Sequence, residues 1–247
     1  MNTLAESAVT ALRLITSLDP VLLDIVRLSL AVSACACLLA CAAGLLLGAW
    51  LGVARFPGRG AVLTLLNTML ALPSVVVGLL VYLLLSRSGP LGFLGWMFSF
   101  QAMVVAQSIL VLPVVMALTR QVVEDADRSH GEQLRSLGAG TFMRGLLLTW
   151  DERFALLTIL IAAFGRAVSE VGAVMVVGGN IEGYTRVMTT AIALETSKGD
   201  LPLAVALGMV LLAVVLLLNT LISLVRRWRE RRDAGLSAWL RMPGPAA

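Results

Sequence analysis

The chain has 247 residues, 59% of them hydrophobic and only 14% charged, with a formal net charge of +4. At a mean hydropathy of +0.92, a soluble enzyme or binding module is excluded, because such a domain cannot hide that much apolar surface. The pattern is that of an all-α polytopic membrane protein, in which every backbone group in lipid is bonded within its own segment.

Met1–Asp19 is mixed in character and lacks the basic start and apolar block of a cleavable signal. Ala8–Leu18 is amphipathic and suited to the bilayer surface. Asp19-Pro20 reads as an N-cap followed by proline at the first helical position, so the first long helix begins ahead of its span. Five apolar stretches follow: Leu28–Val53, Ala61–Leu85, Phe98–Thr119, Phe154–Val177 and Leu201–Val225. Each is as long as the ~20 residues of helix that cross the hydrocarbon core. None has the short alternating segments of a β-barrel.

In the first span, Cys37 and Cys41 share a helical face while Cys35 points elsewhere. With no histidine or carboxylate beside them, they read as buried structural thiols rather than a metal site. Asn67 and Pro73 interrupt the second span, Gln101, Gln107 and Pro113 the third, and Asn219 lies in the fifth. Prolines kink spans and buried amides bridge helices, with pore lining as the alternative for each amide.

Arginine bias sets the expected orientation. With the N-terminus outside, 13 of the 19 basic residues fall on the inner side and five on the outer, while Arg166 lies within a span. Residues 120–153 and the C-terminus are then cytoplasmic. The run Arg226–Arg232 reads as a stop at the anionic inner leaflet, so the basic charge calls for no nucleic-acid partner. The expected organisation is an extracytoplasmic or interfacial segment over 1–27, a transmembrane domain over 28–225 and a basic tail over 226–247.

No HExxH or GxSxG arrangement is present, and the single histidine, His130, reads as a solvated loop residue. The single lysine, Lys198, is followed by Gly199 and Asp200, so the chain has no P-loop. If transport is ATP-driven, the nucleotide chemistry belongs to another polypeptide.

Residues 124–153 hold the densest charge between two spans. Ser129-His130-Gly131-Glu132 has capping-box spacing, which predicts a short helix through Leu137 with Leu134 and Leu137 on one face. Gly138-Ala139-Gly140 ends it. Thr149-Trp150-Asp151-Glu152 repeats the box at the start of the fourth span, where acids suit the helix dipole. The segment is either a handle gripped by a partner or an amphipathic loop on the inner leaflet. Further on, Arg166 and Glu170 lie one helical turn apart at membrane depth, where each charge costs about 2.5–3.5 kcal/mol without a partner. They pair with each other or with another helix, as a gate element or as a static lock. Gly178-Gly179-Asn180 predicts a tight turn, Thr185–Thr196 a short helix, and Asp200 a cap for the fifth span. Thr185, Arg186, Thr189 and Thr190 suit contact with an oxyanion, docking of a soluble partner, or helix capping.

Glu132-Gln133-Leu134-Arg135-Ser136-Leu137-Gly138-Ala139 resembles the EAA loop of ABC importer permeases, with Glu132 and Gly138 at the matching spacing. Gln133 and Leu134 replace that loop's alanines, and its downstream Leu-Pro is missing. Gly165–Ile181, Thr185–Ile192 and Leu194–Asp200 resemble the permeases of tungstate ABC importers, relatives of the molybdate and sulfate permeases. The resemblance implies a binding-protein-dependent type I importer permease fold. Two copies and two ATPase subunits are implied, the latter binding ATP and Mg, with no cofactor in this chain. An extracytoplasmic oxyanion-binding protein completes the implied assembly. Glu132, Leu134, Leu137, Gly138, Ala139 and Phe142 become the implied ATPase-coupling residues. Arg166, Ser169, Glu170, Asn180, Thr189 and Thr190 become the implied path or gate. The rival classes are an ATP-independent channel or carrier, which predicts internal repeats or a charged pore ring, and a membrane scaffold without substrate.

Overall fold

The computed structural model describes residues 3–240, with side chains for 9–225, Arg227 and Trp228. The basic tail beyond Leu240, including Arg241, lies outside the described residues. In chain order the helices are α1 (Thr3–Thr16), α2 (Pro20–Val53), α3 (Arg59–Leu70), α4 (Ser74–Leu85), α5 (Phe100–Ser136), α6 (Thr141–Asp151), α7 (Arg153–Val168), α8 (Gly172–Gly178), α9 (Met188–Lys198) and α10 (Leu201–Leu240). Three of them are long and apolar enough to cross a membrane alone, and bent pairs raise the total to five.

α2 starts where the sequence places it: Asp19 accepts the Leu22 amide at 3.0 Å, with Pro20 in the first turn. α2 and α5 run parallel and form the spine. Their close approach comes from a stripe of Gly44, Gly48 and Gly52, one per helical turn. A Cβ on Gly48 would lie 2.6 Å from the Met116 carbonyl oxygen and 2.8 Å from Thr119 Cβ. In lipid, where dispersion rather than hydrophobicity drives helix pairing, small residues in such register let backbones meet. A core of Val32, Val77, Val81, Met103, Val174 and Val177 then joins α2, α4, α5 and α8.

The second and fourth spans are not straight. α3 and α4 meet at 100° across Ala71–Pro73, because Pro73 cannot continue a helix and starts α4 from an extended conformation. α7 and α8 meet at 55° across Ser169–Val171. The third span does not stop at Thr119. α5 runs on to Ser136, about 55 Å at 1.5 Å per residue. Ser129 is therefore mid-helix, and its hydroxyl donates back to the Asp125 carbonyl at 3.2 Å instead of capping. Nor does Thr149 cap; its hydroxyl donates to the Gly145 carbonyl within α6. α1 docks on α10 through Ala11, Leu14 and Ile15, with Val9, Leu12 and Leu18 left exposed.

Candidate functional site

The handle is a helix–turn–helix at the C-terminal end of α5. The turn is a Schellman motif: the Ala139 amide donates to the Leu134 carbonyl at 3.0 Å and the Gly138 amide to Arg135 at 2.9 Å. Gly138 has φ +81°, which a residue with a Cβ adopts only at a cost. Leu134 turns inward against Ala49, Val53, Val123, Ala126 and Leu148. Leu137, the cap residue, is 83% exposed, so the two leucines do not share a face. Phe142 is 76% exposed and Trp150 71%, and Glu132 is also at the surface. The tip is thus an apolar protrusion beside a carboxylate. Behind it, Glu124 receives Arg59 at 3.0 Å, Arg128 at 2.9 Å and Arg120, tying α3 to α5. Asp127 and Arg144, both buried, pair at 3.2 Å. Neither network was foreseen from the sequence, since each joins residues from separate helices or across the handle turn.

The broken span packs beside Gln107 of the third span. A break there frees backbone groups that lipid cannot satisfy. Gln107 Nε2 donates to the Ala167 carbonyl, where α7 ends. Thr189 Oγ1 donates to the Glu170 carbonyl at 2.7 Å. The Glu170 carboxylate accepts the Val171 and Ala173 amides at 3.1 and 3.4 Å, capping α8. Gln107 is therefore interhelical glue, and of the two pairings open to Arg166 and Glu170, the one with each other does not form. Arg166 is exposed and has no ion pair among the described residues. With Thr158 and Ala162 of α7 and the C-cap Ser169 it lies on one face, since these positions recur every three or four residues.

The turn after α8 forms as expected, with Gly179 at φ +70° and Asn180 at φ +51°. Asn180 Nδ2 donates to the Thr190 carbonyl at 3.2 Å. Thr190 is wholly buried and its hydroxyl accepts the Val187 amide, starting α9. Thr189, also buried, is spent on Glu170, and Thr185 on the Gly178 carbonyl and the Ile181 amide. These hydroxyls cap and brace, each already bonded to a backbone group. Arg186 Nη1 stands 3.4 Å from Glu182 and 3.8 Å from buried Glu195, which also holds Lys198 at 3.0 Å, while Arg186 Nε has no hydrogen-bond partner among the described residues. The adjoining cleft of about 510 Å³ is lined by Asp24, Glu182, Tyr184 and Arg186. Its carboxylates make it a poor oxyanion site.

A bundle with two broken spans, an arginine without an ion pair among the described residues and an apolar-tipped handle fits a multi-pass membrane protein. Comparison with known proteins gives the family. A model of the binding-protein-dependent transport system inner membrane component matches residues 44–233. The chain is 39% identical over 222 residues to the tungstate uptake system permease protein TupB of Peptoclostridium acidaminophilum, covering 90% of this chain and 97% of that one. It is 40% identical over 215 residues to a probable anion ABC transporter permease protein of Haloferax volcanii, covering 85% and 91%. Against the molybdenum transport system permease protein ModB of Escherichia coli K12 the identity is 32% over 189 residues, covering 71% and 81%. The chain belongs to the binding-protein-dependent transport system inner membrane components. It is a transport subunit of the type I importer fold that works with a binding protein and a separate ATPase chain.

Proposed function

We propose that this chain is the permease through which an ATP-driven importer takes up tungstate. One observation carries the substrate: identity to the tungstate permease extends over nearly the whole of both chains, whereas the molybdenum permease is more distant and covered in part. Tungstate and molybdate match in size and charge, so discrimination belongs to the binding protein that delivers the anion.

Two copies pack about a two-fold axis, as most oligomers of identical chains do. The Thr158–Ser169 face supports this, because an arginine facing lipid costs about 2.5–3.5 kcal/mol and a water-lined pathway between copies removes that cost. Arg166 and Ser169 face the path, where the guanidinium draws the anion through without a closed site that would slow its release. The Ser169–Val171 break is the hinge, held by Glu170 and Thr189, with Asn180 and Thr190 fixing the turn beyond. The N-terminus lies outside and the handle in the cytoplasm, on the arginine bias already given. Leu137, Phe142 and Glu132 dock on one of two ATPase subunits, which bind ATP and Mg, while Leu134, Gly138 and Ala139 shape the turn that presents them.

The test is uptake of tungstate, molybdate and sulfate into vesicles holding the assembled transporter and binding protein. ATP-dependent uptake of tungstate is expected. Preferred uptake of molybdate or sulfate would move the substrate, and uptake indifferent to the ATPase would make the chain a channel or carrier.

A further inference from the structure

We infer that the buried Asp127–Arg144 pair is the rigid link through which movement of the handle reaches α5, making both positioning residues for coupling. The inference rests on the handle being the ATPase contact.

No side-chain packing braces the turn at its glycines, since a Cβ on Gly138 or Gly140 would meet nothing within 4 Å. α6 is held to the bundle in two ways. Leu148 is buried among Ala49, Val53, Val123 and Ala126, and Gly145 lies over the Ala49 backbone. That contact is apolar, hence non-directional, and lets α6 tilt. The other hold is ionic: Arg144 Nε stands 3.2 Å from Asp127 Oδ1 without the alignment of a hydrogen bond, and Arg135 adds a contact at 3.9 Å to the other oxygen. Asp127 is 7% exposed and Arg144 8%. Room for the carboxylate depends on Gly131, where a Cβ would lie 2.8 Å from Asp127 Cγ. A buried ion pair is a poor way to gain stability, because apolar residues of similar volume serve as well. What it does supply is a charge contact that ties α6 to α5 across the handle turn. Tilt at the tip then becomes displacement of α5, and with it of Gln107, which holds the Ala167 carbonyl at the broken span.

The test removes both charges together, so that neither is left buried alone. In vesicles holding the full transporter with its ATPase and binding protein, the readout is tungstate imported per ATP hydrolysed. Coupling between sites commonly amounts to about 5–150-fold, and for D127N/R144M we expect about a tenfold fall in that ratio with the ATPase still bound. Arg144→Lys keeps the charge contact and should keep most of the ratio. An unchanged ratio in the double variant, even with less assembled complex, would overturn the inference. So would failure of both variants to assemble, since the pair would then serve folding alone. Leu137→Glu tests the docking reading separately: it should release the ATPase, and retention there would refute the docking without altering the ratio read in D127N/R144M.

Discussion

Gly48→Ala probes the α2–α5 spine with a single methyl group. The added Cβ would stand 2.6 Å from the Met116 carbonyl oxygen and 2.8 Å from Thr119 Cβ, well inside the ~3.5–4.0 Å of favourable carbon contacts. The obstacle is backbone rather than a flexible tip, so the helices must separate by several tenths of an ångström along a seam that Gly44 and Gly52 share. Overpacking of this kind costs about 1–3 kcal/mol. Alanine also returns up to about 1 kcal/mol of helix propensity, which would mask part of the loss. Gly208→Ala on α10 is the matched control: it gains the same propensity and meets nothing within 4 Å. The difference between the two variants isolates the packing term. Thermal unfolding of the detergent-solubilised protein should place Gly48→Ala below Gly208→Ala by the equivalent of about 1–3 kcal/mol. Equal stability would refute the close approach of α2 and α5.

Gly138→Val puts a branched residue at φ +81° and should cost about 1–2 kcal/mol locally. The membrane bundle should persist while ATPase co-purification falls. Glu170→Ala removes the cap of α8 and should cost about 0.5–2 kcal/mol in thermal unfolding, whereas Glu170→Gln keeps an acceptor oxygen and most of the stability. Arg166→Gln should leave stability and ATPase attachment unchanged, because no ion pair is lost, while slowing tungstate uptake. Glu195→Gln removes a buried carboxylate's charge from Lys198 and Arg186, which keeps Glu182, and should destabilise the chain by roughly 1–3 kcal/mol, read by the same unfolding assay.

Hydropathy made the spans on α2, α5 and α10 legible, because length and apolarity alone place a helix in lipid. The breaks were harder to see. Pro73 marked an interruption but not a 100° bend. Ser169–Val171 carries neither proline nor glycine; its bend is held by Gln107 and Thr189, 60 and 19 residues away from the carbonyls they serve. At the handle, Gly138 announced its own turn through its conformational freedom. The capping box at Ser129 misled, because nothing between Arg120 and Arg128 stops α5, and Val123, Ala126 and Asp127 bury its continuing face. Arg166 and Glu170 had the spacing of a pair, but the carboxylate is spent on the amides freed by the break. The glycine stripe at Gly44, Gly48 and Gly52 is a signal present in the sequence that the hydropathy reading passed over.

In the mechanism proposed, a separate ATPase acting on the handle drives an anion through this membrane bundle. Tungstate uptake into vesicles carrying the chain and its binding protein, with the ATPase present or withheld, measures it directly. Uptake should require both ATP and the ATPase; equal uptake without the ATPase would contradict the handle-driven mechanism.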